Sequence, residues 1–185
     1  SMRCVRDLPH LKKILEEKHM NNMQRRTTFL TTAGVIAALY VLLTFLANAM
    51  GLASGAVQLR FSEALTVLPV FTGAAVPGLF IGCLLANLLT GCAFWDIVFG
   101  SLATLLGAIG TRVIGRRAPW TAPIFPIISN MLIVPMVLQQ VYGSTDSYPF
   151  LLATVGLGEL ISCGLFGGIL YQALKRRHIF DGVIA

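Results

Sequence analysis

Apolar residues fall into six blocks along the chain, at 28 to 50, 57 to 72, 74 to 91, 94 to 114, 119 to 141 and 148 to 174. Most approach the roughly 20 residues that carry an α-helix across the ~30 Å hydrocarbon core of a bilayer. Glycine and proline mark the joints: Gly51 and Gly55, Gly73 and Pro77, Gly91, Gly115 with Pro119, and Gly143 with Pro149. The pattern predicts an all-α integral membrane protein, a bundle of six transmembrane helices joined by tight turns. The second block is short and carries Arg60 and Glu63, so it is expected to lie against protein rather than lipid.

Composition agrees with this reading. The 185 residues are 56% hydrophobic and only 12% charged, with a mean hydropathy of +0.77, far from the roughly 25% charged of an average soluble domain. The formal net charge of +6 is mainly a signal of orientation rather than of nucleic-acid binding, because Lys and Arg gather at the cytoplasmic ends of spans. Arg25 and Arg26 precede the first block, Arg112, Arg116 and Arg117 sit at the fourth-to-fifth junction, and Lys175, Arg176 and Arg177 follow the sixth. The connections at 51 to 56, 91 to 94 and 142 to 148 carry no Lys or Arg. Six spans with both termini cytoplasmic satisfy that alternation; an odd number does not.

Residues 1–26 are polar and lack the apolar core and cleavage site of a secretory signal, so the first apolar block is expected to be a span. They form a cytoplasmic extension in which Leu8, Leu11, Ile14 and Leu15 fall at helical spacing, the pattern either of an amphipathic helix on the inner membrane surface or of a mobile tail. Residues 27–178 are expected to form the six-helix membrane domain and 179–185 a cytoplasmic tail, with a bacterial plasma membrane as the expected location.

Apart from the cytoplasmic arginines, the ionisable residues in or beside the spans are Arg60, Glu63, Asp96 and Glu159. Each costs about 2.5–3.5 kcal/mol at a helix centre, so four facing lipid unpaired would cost on the order of 10 kcal/mol. They need a partner or a cavity. The topology puts Arg60, Glu63, Asn87 and Asp96 near the outer ends of their spans, with Trp95, Gln139, Gln140 and Tyr142 at the same level. Asn130 and Glu159 lie about eleven residues in from the outer ends, near the midplane. These residues can line a cup open to the outside, with Asn130 and Glu159 at its floor. Equally, Arg60 and Glu63 at i, i+3 can satisfy one another in place. Carboxylates and amides in such a cup suit a flat heterocycle with N–H donors, because a carboxylate accepts two parallel hydrogen bonds. Phe94, Trp95 and Tyr142 either stack on that ligand or form an interfacial belt.

Other chemistries have little support. Cys4, Cys83, Cys92 and Cys163 show neither metal-ligand spacing nor a disulfide framework, and no cofactor is implied. His10, His19 and His178 lie outside the blocks, which sets aside histidine chemistry in the membrane. No G-x-x-x-x-G-K-[ST], H-E-x-x-H or G-x-S-x-G occurs, so any ATP-driven step belongs to another subunit and an enzyme is not expected. Small residues recur at four-residue spacing at Ala33/Ala37, Gly34/Ala38, Gly78/Gly82 and Gly164/Gly168, a pattern that serves packing or docking.

The run VQLRFSEALTVLPVFTGAAVPGLFIGCLLANLLTG, followed by FWDIVFGSLATLLGA, resembles the QueT family, the substrate-binding S components of energy-coupling factor (ECF) transporters for queuosine precursors. The likeness covers about residues 28 to 178, and RFSEAL with the N-x-x-x-G at Asn87 and D-x-x-x-G at Asp96 is its most specific part. It implies a six-helix membrane protein that captures queuine or another 7-deazaguanine outside and passes it to a coupling subunit driven by two ATPases. RFSEAL at 60 to 65, Asn87, Asp96 and Glu159 become the implied binding positions, with Glu159 or Glu63 accepting from the deazaguanine edge. The Ala33/Ala37 pattern matches the docking motif for the coupling subunit, with Gly34/Ala38 beside it leaving the face open. A proton-coupled secondary transporter of a small polar heterocycle, with Glu159 carrying the proton, is the alternative.

Overall fold

A computed structural model describes residues 8–52 and 58–177, with side chains from residue 20 onward. The 179–185 tail, Cys4 and His178 lie outside the described residues, as do the side chains of the amphipathic pattern at 8 to 15. Among the described residues all regular structure is helical. Helix α1 spans Leu8–Ala49 and runs unbroken across the boundary drawn at residue 26. A 3-10 helix follows at Phe61–Val70, then α2 at Ala75–Leu89 and α3 at Phe94–Gly110, which continues through a π turn at Thr111–Gly115. After a short turn at Pro119–Thr121 come α4 at Ile124–Gln140 and α5 at Tyr148–Glu159. A π segment at Leu160–Phe166 leads from α5 directly into α6 at Gly167–Arg177.

Among the described residues four helical stretches are long and apolar enough to cross a membrane: Met20–Ala49, Phe94–Gly115, Pro119–Gln140 and Tyr148–Arg177. The second and third blocks are shorter helices of 10 and 15 residues. At about 2.0 Å per residue a 3-10 helix of this length reaches ~20 Å, a third longer than the same residues would as α-helix. Its residues Ser62, Glu63, Leu65, Thr66, Val67 and Leu68 are buried, so it lies within protein. Pro69, which has no N–H to donate, sits near its end, and Arg112 Nη1 donates to the Pro69 carbonyl at 3.1 Å. Arg112 therefore has a structural duty beyond the orientation signal read from the sequence.

Helices adjacent in sequence pack side by side from α1 to α5, and the 3-10 helix lies against both α1 and α6. Glycine brings α1 and α2 together: a Cβ at Gly78 would stand 2.7 Å from the Ala33 carbonyl oxygen, and one at Gly82 would stand 2.7 Å from Tyr40 Cβ. Ala33 and Ala37 are consequently buried against α2, whereas Gly34 and Ala38 on the same helix are exposed. Gly164 and Gly168 face open space, with only Leu160 near the former.

The distribution of polarity is inverted relative to a water-soluble protein. Leu30, Leu42, Leu106, Leu132 and Leu165 are exposed around the outside, while Ser62, Glu63, Thr66, Asn87, Asp96, Asn130 and Glu159 are buried. So continuous an apolar belt needs a nonpolar surround, and buried polar groups need each other or a ligand. At one end of the bundle the chain turns at Gly51, Gly91 and Gly143, each with positive φ that favours glycine.

Candidate functional site

The end of the bundle that carries these three turns opens into a cup of about 420 Å³, within the roughly 300–1,000 Å³ of small-molecule sites. Thr44 and Asn48 of α1, Gln58 and Arg60 before the 3-10 helix, Asn87 and Thr90 of α2, Asp96 of α3, Val134 and Leu138 of α4, and Cys92 and Tyr142 line it. Tyr142 ties the rim together, donating to Asp96 Oδ2 at 2.8 Å and accepting from the Ala93 N–H at 3.2 Å. Gly100 leaves the room that this corner needs, since a Cβ there would lie 3.1 Å from Asn87 Nδ2 and 3.5 Å from Asp96 Oδ1.

Below the cup lies a second polar layer. One turn deeper on each wall helix, Tyr40 stands under Thr44, Glu63 under Arg60, Cys83 under Asn87 and Asn130 under Val134. The Tyr40 hydroxyl donates to Glu63 Oε1, and Cys163 Sγ donates to Glu159 Oε2 at 3.1 Å. Asn130 stands close to both carboxylates. Arg60 joins the layers, its charge acting on Asp96 above and on Glu63 and Glu159 below. Its backbone N–H donates to Ser162 Oγ at 3.3 Å, fixing the start of the 3-10 helix to the π segment.

Two atoms of the inner layer lack hydrogen-bond partners although fully buried: Glu63 Oε2, an acceptor, and Asn130 Nδ2, a donor. Glu63 is 0% and Asn130 2% exposed. Such orphaned groups are rare in native cores and cost about 1–3 kcal/mol each. The i, i+3 pairing of Arg60 with Glu63 does not resolve this, because Arg60 faces the cup while Glu63 turns inward to Tyr40.

The structure brings Arg60, Asn87 and Asp96 into the cup and Glu63, Asn130 and Glu159 into the layer beneath. It places three other sequence candidates elsewhere. Gln139 Nε2 donates to the Asp146 carbonyl at 2.9 Å and staples the α4–α5 connection. Trp95 and Gln140 line an apolar groove with Phe99, Leu106 and Met136, and Trp95 stacks on Phe99 with ring centroids 5.8 Å apart. Of the three aromatics weighed as stacking partners, Tyr142 alone lines the cup.

Tyr40, Thr44 and Asn48 escaped the sequence reading, although their four-residue spacing in an apolar span marks a polar stripe. Cys163 had no such signal. Its sulfur and the carboxylate oxygens of Glu63 and Glu159 all lie within 4.8 Å of one another, a set able to hold a metal ion that cysteine spacing does not reveal.

The Tyr142 hydroxyl lies outside the spans and is pushed up to about 12, chiefly by burial and further by Asp96 accepting its proton. The raised value favours the protonated form in the folded state. The contribution of this contact is full below the ordinary value near 10 and is lost as pH rises through about 12. Ligand affinity should therefore show no loss from Tyr142 ionisation up to about pH 10. Tyr142→Phe should lower affinity at pH 7, read by calorimetric titration.

An all-helical, multi-pass membrane protein whose polar centre opens as a cup at one end is built to take up a small polar solute. The chain belongs to the QueT transporter family, whose family model matches residues 30–176. It is 25% identical over 166 residues to the Queuosine precursor transporter QueT of Lactococcus lactis subsp. cremoris, a match covering 84% of this chain and 97% of that protein. No solved structure matches the chain.

Proposed function

We propose that this chain is the substrate-binding membrane subunit, the S component, of an ECF-type importer that captures a queuosine precursor. The ligand is a 7-deazaguanine, either queuine or a simpler base, taken from outside into the cup. The chain spans the bacterial cell membrane six times with both termini cytoplasmic, and the turns at Gly51, Gly91 and Gly143 lie at the cup's outer rim. One observation carries the ligand assignment: the unpaired acceptor Glu63 Oε2 and the unpaired donor Asn130 Nδ2 are the complement of a lactam edge. In a deazaguanine that edge is N1–H beside C6=O, and each orphan would gain its partner there. Glu159 stands beside them to take the exocyclic amine, and the printed name of the Lactococcus relative points to the same class of solute.

Without a Walker-type loop the chain does not bind ATP in that manner, so hydrolysis falls to two ATPase subunits acting through a membrane coupling subunit. Ala33 and Ala37 are occupied by α2, which leaves the exposed Gly34/Ala38 face for the coupling subunit. A Gly34→Leu protein should bind ligand as the wild type does, yet lose at least about tenfold in cellular uptake, as expected when small-residue helix packing is blocked.

Uptake of a 7-deazaguanine by cells producing the chain with and without the coupling and ATPase subunits tests the whole reading. Uptake that requires the partners and survives a protonophore supports it. Uptake by the chain alone that a protonophore abolishes would establish the proton-coupled alternative.

A further inference from the structure

The layer beneath the cup gathers a donor set that the recognition of a base does not use in full. Among the described residues, Cys163 Sγ and one carboxylate oxygen from each of Glu63 and Glu159 lie within 4.8 Å of one another. All three residues are buried. They come from separate elements: Glu63 from the 3-10 helix, Glu159 from the end of α5 and Cys163 from the π segment. Close approach of backbone holds those elements together. A Cβ at Gly158 would run into the Gln58 carbonyl oxygen, and the Arg60 N–H donates to Ser162 Oγ at 3.3 Å. Side chains on packed helical elements are placed with the precision that a metal site needs.

Glu63 supplies the sign that something binds here. Tyr40 donates to its Oε1 and so orients the carboxylate, while Oε2 is fully buried and has no partner. A buried carboxylate oxygen with nothing to accept calls for a donor or a cation. The donor set selects the cation. Calcium and magnesium surround themselves with six or more oxygens, whereas here the carboxylates of two residues meet one sulfur. That mixture suits a borderline divalent ion such as zinc, which accepts both donor types and is often held by three protein ligands with a fourth position open. Donors at about 2.0–2.3 Å around a tetrahedral ion stand about 3.3–3.8 Å apart, so shifts of about 1 Å close the set. Cys163 Sγ and Glu159 Oε2, at 3.1 Å, are already that close. The ligands bind without their protons. Two carboxylates, a thiolate and a divalent ion then leave one negative charge, which is offset by Arg60, whose charge acts on both glutamates.

We propose that Glu63, Glu159 and Cys163 form a binding site for one zinc-like divalent ion, and that ion and base exclude one another because both need Glu63 Oε2. Zinc reaching the cup from outside then inhibits uptake at the site itself. The ion site stands on the donor set alone; the exclusion rests on the cup being a 7-deazaguanine site.

Titration of the purified, metal-free full chain with cobalt(II) tests the ion site, because a thiolate bound to cobalt gives a near-ultraviolet charge-transfer band. The wild type should take up about one cobalt per chain with that band, and Cys92→Ser, at the cup wall, should keep it. Cys163→Ser should lose the band and at least about tenfold in cobalt affinity. No stoichiometric binding by the wild type, or a band that survives Cys163→Ser, overturns the site. Zinc-edge X-ray absorption of the wild type needs no variant: one sulfur at about 2.3 Å with oxygens at about 2.0–2.2 Å is expected, and a shell without sulfur overturns the site. Calorimetric titration with 7-aminomethyl-7-deazaguanine then tests exclusion. With zinc at about ten times its own dissociation constant, the apparent affinity for the base should fall about tenfold by mass action. Equal affinity with and without zinc overturns the exclusion and leaves the proposed function standing. No binding of the base even without zinc overturns the exclusion and the proposed function together, while the cobalt and absorption results still decide the ion site.

Discussion

Glu63→Gln yields a protein that is more stable without ligand and nearly blind to it. Glutamine keeps an acceptor for the Tyr40 hydroxyl and puts an amide donor where Oε2 now lies unpaired. Removing an ill-satisfied buried charge should stabilise the folded protein by about 1–3 kcal/mol. The same change sets a donor against the ligand's N1–H, so affinity for a 7-deazaguanine should fall by about 100-fold, equivalent to about 3 kcal/mol. Thermal unfolding and titration of one preparation read both effects. A purely structural role for Glu63 in the bundle predicts the reverse stability change, with affinity following the loss of fold.

Gly82→Val should be the most damaging single substitution in the α1–α2 contact. The added Cβ would stand 2.7 Å from Tyr40 Cβ and 3.0 Å from Ala37 Cα. Neither is the end of a flexible side chain, so α1 must move away from α2. The cost should reach about 3 kcal/mol or more, the upper part of the overpacking range. Tyr40 moves with α1, and its hydroxyl then leaves Glu63, so the site is lost with the packing. Gly34→Ala on the same helix meets nothing within 4 Å and should stabilise by up to about 1 kcal/mol through helix propensity alone. Comparing their unfolding temperatures in detergent separates the close approach at Gly82 of α2 from a general intolerance of side chains at the glycines of the two helices.

Much of the scaffold was legible because the signals were strong and local. The blocks at 94 to 114, 119 to 141 and 148 to 174 correspond to helical stretches at Phe94–Gly115, Pro119–Gln140 and Tyr148–Arg177. The second block was recognised as short and enclosed by protein, for which its Arg60 and Glu63 were reason enough. That it winds as a 3-10 helix was not legible, because an apolar run with Pro69 near its end fits either winding, and neighbours decide. The π segment after Glu159 was equally hidden, yet it sets Ser162 and Cys163 against the start of the 3-10 helix.

Depth was a better guide to the candidate site than residue type. Asn87, Asp96 and Arg60 were placed at the cup by counting from span ends, and the structure puts them together there. Trp95 sits at the right depth but points to the outer groove, since depth fixes height and not azimuth. Azimuth was available for α1, where the Tyr40, Thr44 and Asn48 stripe faces inward. It also separates Ala33/Ala37 from Gly34/Ala38: two overlapping four-residue patterns differ by one residue, about 100° around the helix, and only the packing of α2 shows which is covered.

The most direct measurement compares thermal unfolding of the purified, detergent-solubilised chain with 7-aminomethyl-7-deazaguanine, queuine, 7-deazaadenine and unrelated vitamins. Bound ligand stabilises the native state by mass action, so selectivity appears in the shift itself. The account predicts a concentration-dependent rise with the two deazaguanines and none with 7-deazaadenine, which lacks the N1–H and C6=O that Glu63 and Asn130 are placed to meet. Equal rises with the adenine analogue, or no rise with either deazaguanine in folded protein, would contradict it.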